Sequence, residues 1–348
     1  MEITTEFSAE PLDKMKILYL PCHAILEYDQ YKLWTEMGHD VFSLGSYINP
    51  HQPHDNKRPP IMEGKYYEHL VSVSAVYSKD NLHADLIDWA DCIIVDHIDT
   101  WISNNWEKIK HKKVILRTIG QNVSDTEFRL QKFRDEGLKI VRYSPKEENI
   151  PLYVGGDAMI RFYKDPDEFK DWNGDIDEVA TMGQSIVKRG EFCHYEVFDQ
   201  VTTGFSRAVF GSENQDIPEW RGQLNYEEMK QMYRDYRVFF STGTQPASYT
   251  LTPIEAMMTG IPVVVLGKGL GNSLFNKEQD TYEMDSIIEN GVSGFVSDEI
   301  PELREYVARL LNDHGLAKRI GDAGRERAIS LFGKEKIKSE WKAFLDNL

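Results

Sequence analysis

The residues with the clearest chemical potential lie in SYTLTPIEAMMTGIPVVV, residues 248–265. A loop of small and polar residues, 241–250, runs into what reads as a helix N-terminus. Such a terminus offers free backbone N–H groups and the positive end of a dipole, which suit a phosphate. Glu255 follows within one turn, and a carboxylate there can accept hydrogen bonds from ribose hydroxyls. The same residues also spell a helix start. Thr252 fits the cap, Pro253 the first helical position, and Glu255 the reciprocal position of a capping box. Gly260 then serves as the stop. Local sequence leaves both readings of Glu255 open.

A second concentration is Asp96-His97-Ile98-Asp99, at the end of the apolar run CIIVD. It invites a metal reading, but adjacent side chains on a strand point to opposite faces, so no metal site is expected. Cys22, Cys92 and Cys193 form no CxxC or CxxH pair. A structural zinc is therefore not expected, and a reducing, cytoplasmic compartment is.

The elements that must position these residues alternate. MKILYLP reads as a buried strand, residues 24–37 as a helix stopped at Gly38, and HDVFSLG as the next strand. The pattern continues through CIIVD, a helix near Trp101–Lys110, the strand KVILRT, a helix over 124–136, and LKIVRYS. Apolar strands joined by helical crossovers imply a parallel sheet. A second series follows, from EVATMG through SRAVFG, a helix over 226–234, and RVFFSTG to the 248–265 stretch and the closing helices. A chain of 348 residues exceeds what one core usually serves. The expected organisation is a leader over 1–14, a first α/β domain over 15–165, and an acidic, turn-rich linker over 166–178. A second domain spans 179–332, with a closing helix over 333–348 that can return to the first domain. Residues 47–65, rich in Pro, His, Asn and Asp, read as a surface loop. Two tandem doubly wound domains would place a ligand in the cleft outside the carboxyl ends of their strands.

With 40 basic against 57 acidic side chains, the net charge is −17. That charge disfavours nucleic acid and anionic membranes as general partners. No apolar run approaches the ~20 residues that span a bilayer. The start, MEITTEFSAEPLDK, does not fit a secretory signal or a transit peptide.

Four stretches, in order, carry a family resemblance: EVATMGQSIVKRG, GQLNYEEMKQMYRDYRVFFST, SYTLTPIEAMMTGIPVVV, and ENGVSGFVSD with the helices after it. Together they run from about Val179 to the C-terminus. They resemble the donor-binding domain of retaining glycosyltransferases of the GT-B fold, in pattern most like the large family 4. MKILYLP and EMGHDVFSL match that family's first half more weakly.

The resemblance implies a nucleotide diphosphate sugar as donor substrate, with a UDP-sugar expected, and no essential metal. It implies that Glu255 holds the ribose. Arg189, followed by Gly190, would pair with the diphosphate and stabilise the departing charge. The backbone of Thr250, Leu251 and Thr252 would contact phosphate, and Leu224 and Tyr226 would border the base. Family members also place a histidine near the reacting sugar, a role for which His97 is the candidate. Two departures stand out. Ala247 occupies the place of a second glutamate, eight residues before Glu255, and Gln184 replaces a basic residue after the strand glycine. Gln184 and Gln245 would supply neutral hydrogen bonds instead.

The acceptor would meet the first domain, where Cys22, His23, Asp96, His97, Asp99, Arg117, Thr118 and Gln121 follow strand ends. A soluble glycan or small molecule is the default, since no basic, aromatic amphipathic helix marks a lipid acceptor. A modified base in phage-type DNA is an alternative, with Lys57, Arg58, Lys65, Lys110, His111, Lys112 and Lys113 as a possible basic rim. Sugar-nucleotide epimerisation and non-catalytic nucleotide-sugar binding are the rival functions. The sequence carries no signal for an oligomeric state.

Overall fold

The computed structural model describes residues 14–45, 67–74, 81–275 and 279–348, with only the backbone of Tyr67. The leader through Asp13, the 47–65 loop, and Lys57, Arg58 and Lys65 lie outside the described residues.

The first half contains β1 (Lys16–Leu20), α1 (Ala24–Glu36), β2 (Asp40–Ser43), α2 (Tyr67–Ser74), α3 (Ala84–Trp89), β3 (Cys92–Asp96) and α4 (Thr100–Ile109). It continues with β4 (Lys113–Arg117), α5 (Ser124–Asp135), β5 (Lys139–Arg142) and the two-residue β6 (Ala158–Met159). The second half contains β7 (Ile176–Met182), α6 (Tyr195–Thr202), β8 (Arg207–Phe210), α7 (Tyr226–Asp235), β9 (Tyr236–Ser241), α8 (Leu251–Thr259) and β10 (Val263–Leu266). The short α9 (Lys268–Gly271) and α10 (Met284–Ile287) precede β11 (Phe295–Ser297), α11 (Ile300–Asn312), α12 (His314–Phe332) and α13 (Lys334–Asp346).

The strands form two sheets, ordered β2-β1-β3-β4-β5-β6 and β11-β10-β9-β7-β8. Every strand pair is parallel. Strands such as CIIVD and VVVL are buried along their whole length, which is what helices on both faces of a parallel sheet require. Each sheet reverses its winding next to its first strand, between β1 and β3 and between β7 and β9. Those switch points open crevices at the carboxyl ends. The architecture is the two-domain, Rossmann-like α/β arrangement expected from the sequence.

The connection between the sheets is packed rather than loose. Phe169 is buried in the second core, and Lys164 N–H donates to the carbonyl of Phe332 at 2.9 Å. Lys164 and Gly333 form a parallel bridge where the chain crosses outward and returns. Past that point, α13 places Ile337, Trp341 and Leu345 in the first core, with Trp341 edge-on to Trp34 at 5.2 Å. Side chains also clamp the two halves. The rings of Tyr143 and Tyr249 stack at 4.1 Å, and Tyr143 OH donates to the Tyr249 carbonyl at 2.8 Å. Glu283 accepts from Ser144 Oγ at 2.5 Å and pairs with the buried Arg161.

Candidate active site

Between the carboxyl ends of the two sheets lies a cavity of about 280 Å³. That volume suits a small organic ligand. Its walls come from the loops after β1, β4, β5, β7 and β9 and from the first turns of α1 and α8. Gln184, Arg189, Leu224, Thr250, Leu251, Thr252 and Glu255 all line it.

Helix α8 starts two residues earlier than its sequence suggests. The cap is Thr250, in extended conformation and without a side-chain cap bond, so the capping box at Thr252 is not formed. Proline is tolerated throughout the first turn, because those N–H groups have no intrahelical acceptor. Pro253 therefore marked a first turn, not the first position. The earlier start turns Leu251 and Thr252 into first-turn residues facing the cavity. Gly260 ends the helix at φ +101°, its N–H donating to the carbonyls of Ala256 and Met257. Glu255 is freed from capping. Its Oε1 accepts from Lys164 Nζ at 2.6 Å, and its Oε2 accepts from Tyr233 OH at 3.3 Å. Only 1% of the residue is exposed.

Arg189 lines the same cavity, from the second domain. It is exposed, and among the described residues its guanidinium has no hydrogen-bond or ion-pair partner. It sits in the turn between β7 and α6, which Gly190 reverses at φ +52°. Gln184, next to it, donates at 3.4 Å to Glu213.

Tyr226, Gln245 and His97 lie outside the cavity wall. Tyr226 is the first residue of α7, after the Asn225 cap, and donates to Glu168. Gln245 is spent on loop structure: Oε1 accepts from Leu274 N–H at 2.9 Å, and Nε2 meets Ser273 Oγ at 3.2 Å and His194 Nε2 at 2.5 Å. His97 sits at φ +54° with its Nδ1 buried and unpartnered, and burial lowers its pKa.

On the first-domain side, His23, Gln121, Tyr143 and Phe162 line the cavity. Asp96 and Arg117 do not reach it, and both are fully buried beneath the strand ends. Tyr19 donates to Asp96, and burial pushes the Asp96 carboxyl up to about 6, with Arg117 countering in part. Arg117 lies 3.5 Å over the Phe162 ring and donates to the Arg161 carbonyl at 3.2 Å. Asp99 pairs with Arg129 at 2.7 Å. The DHID residues thus diverge, and no cluster of three or more metal-ligating side chains exists among the described residues. Lys110 to Lys113 occupy the amino end of β4, opposite the cavity, where Lys110 pairs with Glu107 and Lys112 with the Ala90 carbonyl.

The sequence reading missed Lys164, Tyr233, Tyr143, Phe162 and Tyr249. Tyr143 directly follows β5, so the rule that sites gather at strand carboxyl ends was a usable signal. Lys164 had none, because its partners are 91 and 135 residues away in sequence.

Residues 188–333 match a family model described as glycosyl transferase-like. A UDP-N-acetylglucosamine–peptide N-acetylglucosaminyltransferase GtfA subunit from Streptococcus agalactiae is 26% identical over 134 residues. That match covers 36% of this chain and 24% of the relative, so the chain spans about a quarter of the relative's length. Sucrose-phosphate synthase from Thermosynechococcus elongatus superposes with a TM-score of 0.67 at 13% identity, over 96% of this chain and 99% of that one. A glycosyltransferase from Rickettsia africae gives 0.67 at 14% identity, over 97% and 100%. Anabaena Alr3699/HepE in complex with UDP and glucose gives 0.65 at 13% identity, over 96% and 100%. The chain therefore has the GT-B architecture along nearly its whole length, and its residues 188–333 are similar to a glycosyl transferase-like family model.

Proposed function

We propose that this protein is a glycosyltransferase that moves a sugar from a nucleotide diphosphate sugar to an acceptor hydroxyl, with retention of configuration. One observation carries the reading. The first turn of α8, the Glu255 carboxylate and the exposed Arg189, unpaired among the described residues, share one cavity, facing the strand ends of the other domain. A helix start and an arginine suit a diphosphate. A carboxylate suits the hydroxyls of a ribose. The apolar stretch of wall formed by Met182, Leu224 and Met229 suits a flat base.

Among the described residues, Glu255 is the one carboxylate lining the cavity, and it is held by Lys164. It is poorly placed to act as a nucleophile. A front-face displacement fits this wall: the bond from the anomeric carbon to the diphosphate breaks, and the acceptor oxygen bonds on the same face. The acceptor proton passes to the departing phosphate, whose charge Arg189 and the α8 dipole stabilise. A product of inverted configuration overturns this step.

UDP is the proposed nucleotide, supported by the Anabaena neighbour's complex with UDP and glucose and by the name of the Streptococcus relative. The proposed acceptor is a soluble glycan or small molecule. A peptide hydroxyl belongs in the same screen, given that relative's name. The test is a thermal-shift panel of UDP, GDP, ADP and their sugar conjugates on wild type and Glu255→Ala. A nucleotide that raises the melting temperature of wild type alone supports the site. No shift at millimolar nucleotide overturns it.

A further inference from the structure

The Glu255 carboxylate does not stand alone. Lys164 Nζ lies 2.6 Å from Glu255 Oε1 on α8 and 2.8 Å from Asp29 Oδ2 on α1. All three side chains are buried, that of Lys164 to 1% exposure. The lysine has little freedom of its own. Its backbone is bridged to Gly333, its N–H donates to the Phe332 carbonyl, and its ammonium lies 5.7 Å from the centre of the Phe169 ring. One cation is thus fixed at the point where the chain crosses between the sheets, with one carboxylate from each domain upon it.

A simple staple pairs one ammonium with one carboxylate. Here two carboxylates share it, and Tyr233 OH also donates to Glu255 Oε2 at 3.3 Å. A buried carboxylate is held by such donors. A carboxylate can accept at about four positions, and Glu255 also borders the cavity. A vicinal diol would bring two O–H donors to that side.

We propose that Lys164 is a positioning residue for ribose recognition: it holds the Glu255 carboxylate in the orientation that reads the sugar hydroxyls, and through Asp29 it ties that orientation to the first domain. This rests on the proposed function above. Lys164 touches no ligand in this scheme and acts through Glu255.

The experiment compares affinities for UDP, GDP and ADP with those for their 2′-deoxy counterparts, by calorimetry, on wild type and variants. Hydrogen bonding of the diol to a charged group predicts that wild type prefers the ribonucleotide by about tenfold or more. In Lys164→Met the preference falls to near one, as it does in Glu255→Gln, and the double variant is no worse than either single. Asp29→Asn keeps the preference, because Lys164 still holds Glu255. Lys164→Gln, which retains a neutral donor, serves where the methionine variant does not fold, and it too is expected to lose most of the preference. A purely structural lysine weakens ribo- and deoxynucleotides alike, so an unchanged ratio in the Lys164 variants overturns the inference. If wild type binds nucleotides without any ribose preference, or binds none, the reading of Glu255 itself fails. The two failures are therefore distinct.

Discussion

The two sheets turn their carboxyl ends toward one cavity, yet they use charged side chains in opposite ways. After β7 and β9 the second domain presents Arg189 and the first turn of α8 to the open space. At the ends of β3 and β4 the first domain folds Asp96 and Arg117 inward until neither is exposed. Asp96 Oδ1 and the Nε and Nη1 of Arg117 have no hydrogen-bond partner among the described residues. An exposed, unpaired cation costs little in folding and is available to a ligand. Buried, partly satisfied charges tie up stability and are available to nothing outside. The same architecture thus supplies an exposed cation and a helix start on one side and a rigid polar floor on the other.

That contrast can be broken from the first-domain side. Arg117→Met removes the cation whose charge acts on Asp96 and is expected to cost ~3–4 kcal/mol of stability. Chemical denaturation measures it, and Arg117→Met with Asp96→Asn should recover part of the loss. Nucleotide affinity of the folded fraction should hardly change; a large loss would mean that Arg117 serves the ligand after all.

Next in size is the pH response of Asp96. Its carboxyl is raised to about 6 by burial, with Tyr19, Cys22, Arg117 and Glu27 as the titratable and charged neighbours. A raised acid keeps its proton longer in the folded than in the unfolded chain. Between the ordinary carboxylate range and pH 6 the folded state therefore binds more protons, and stability falls as pH rises. Relative to Asp96→Asn, wild type should lose on the order of 3 kcal/mol between pH 3.5 and pH 7. Equal pH slopes for the two proteins would show that Asp96 ionises normally.

The second-domain side should behave in the reverse manner. Arg189→Ala should leave stability within about 0.5 kcal/mol, as for an exposed, unpaired side chain. It should weaken nucleoside diphosphates by about 2 kcal/mol while sparing the nucleoside. Equal losses for UDP and uridine would remove Arg189 from the diphosphate. The smallest effect is expected where the walls touch. Tyr143→Phe deletes the hydrogen bond to the Tyr249 carbonyl but keeps the ring stack, a loss of about 1 kcal/mol.

Much of the scaffold was legible in the residues. β1, β3 and β4 are short apolar runs bounded by turn residues, and α7 begins at Asn225 with Glu228 three residues on, a capping box that forms. Cavity-lining positions at the ends of such elements inherit their legibility, as Arg189 and Thr250 do. The helix start at α8 was misplaced by two residues because proline marks a first turn without saying which position it fills. Tyr226 and Gln245 were near the cavity in sequence, but their polar atoms turn away to Glu168, Ser273 and Leu274.

By itself the sequence determined the alternation of strands and helices, the division into two α/β halves, and the position of Glu255 within a turn of a helix start. Those features depend on periodicity and on turn chemistry, which act over a few residues. Only the tertiary structure decided that Glu255 is held by Lys164 and Tyr233 instead of capping its helix, that Asp96 and Arg117 are buried, and that Lys110 to Lys113 face away from the cavity. Each of these depends on a partner or a distance set by how the two sheets pack, across separations where no local pattern operates.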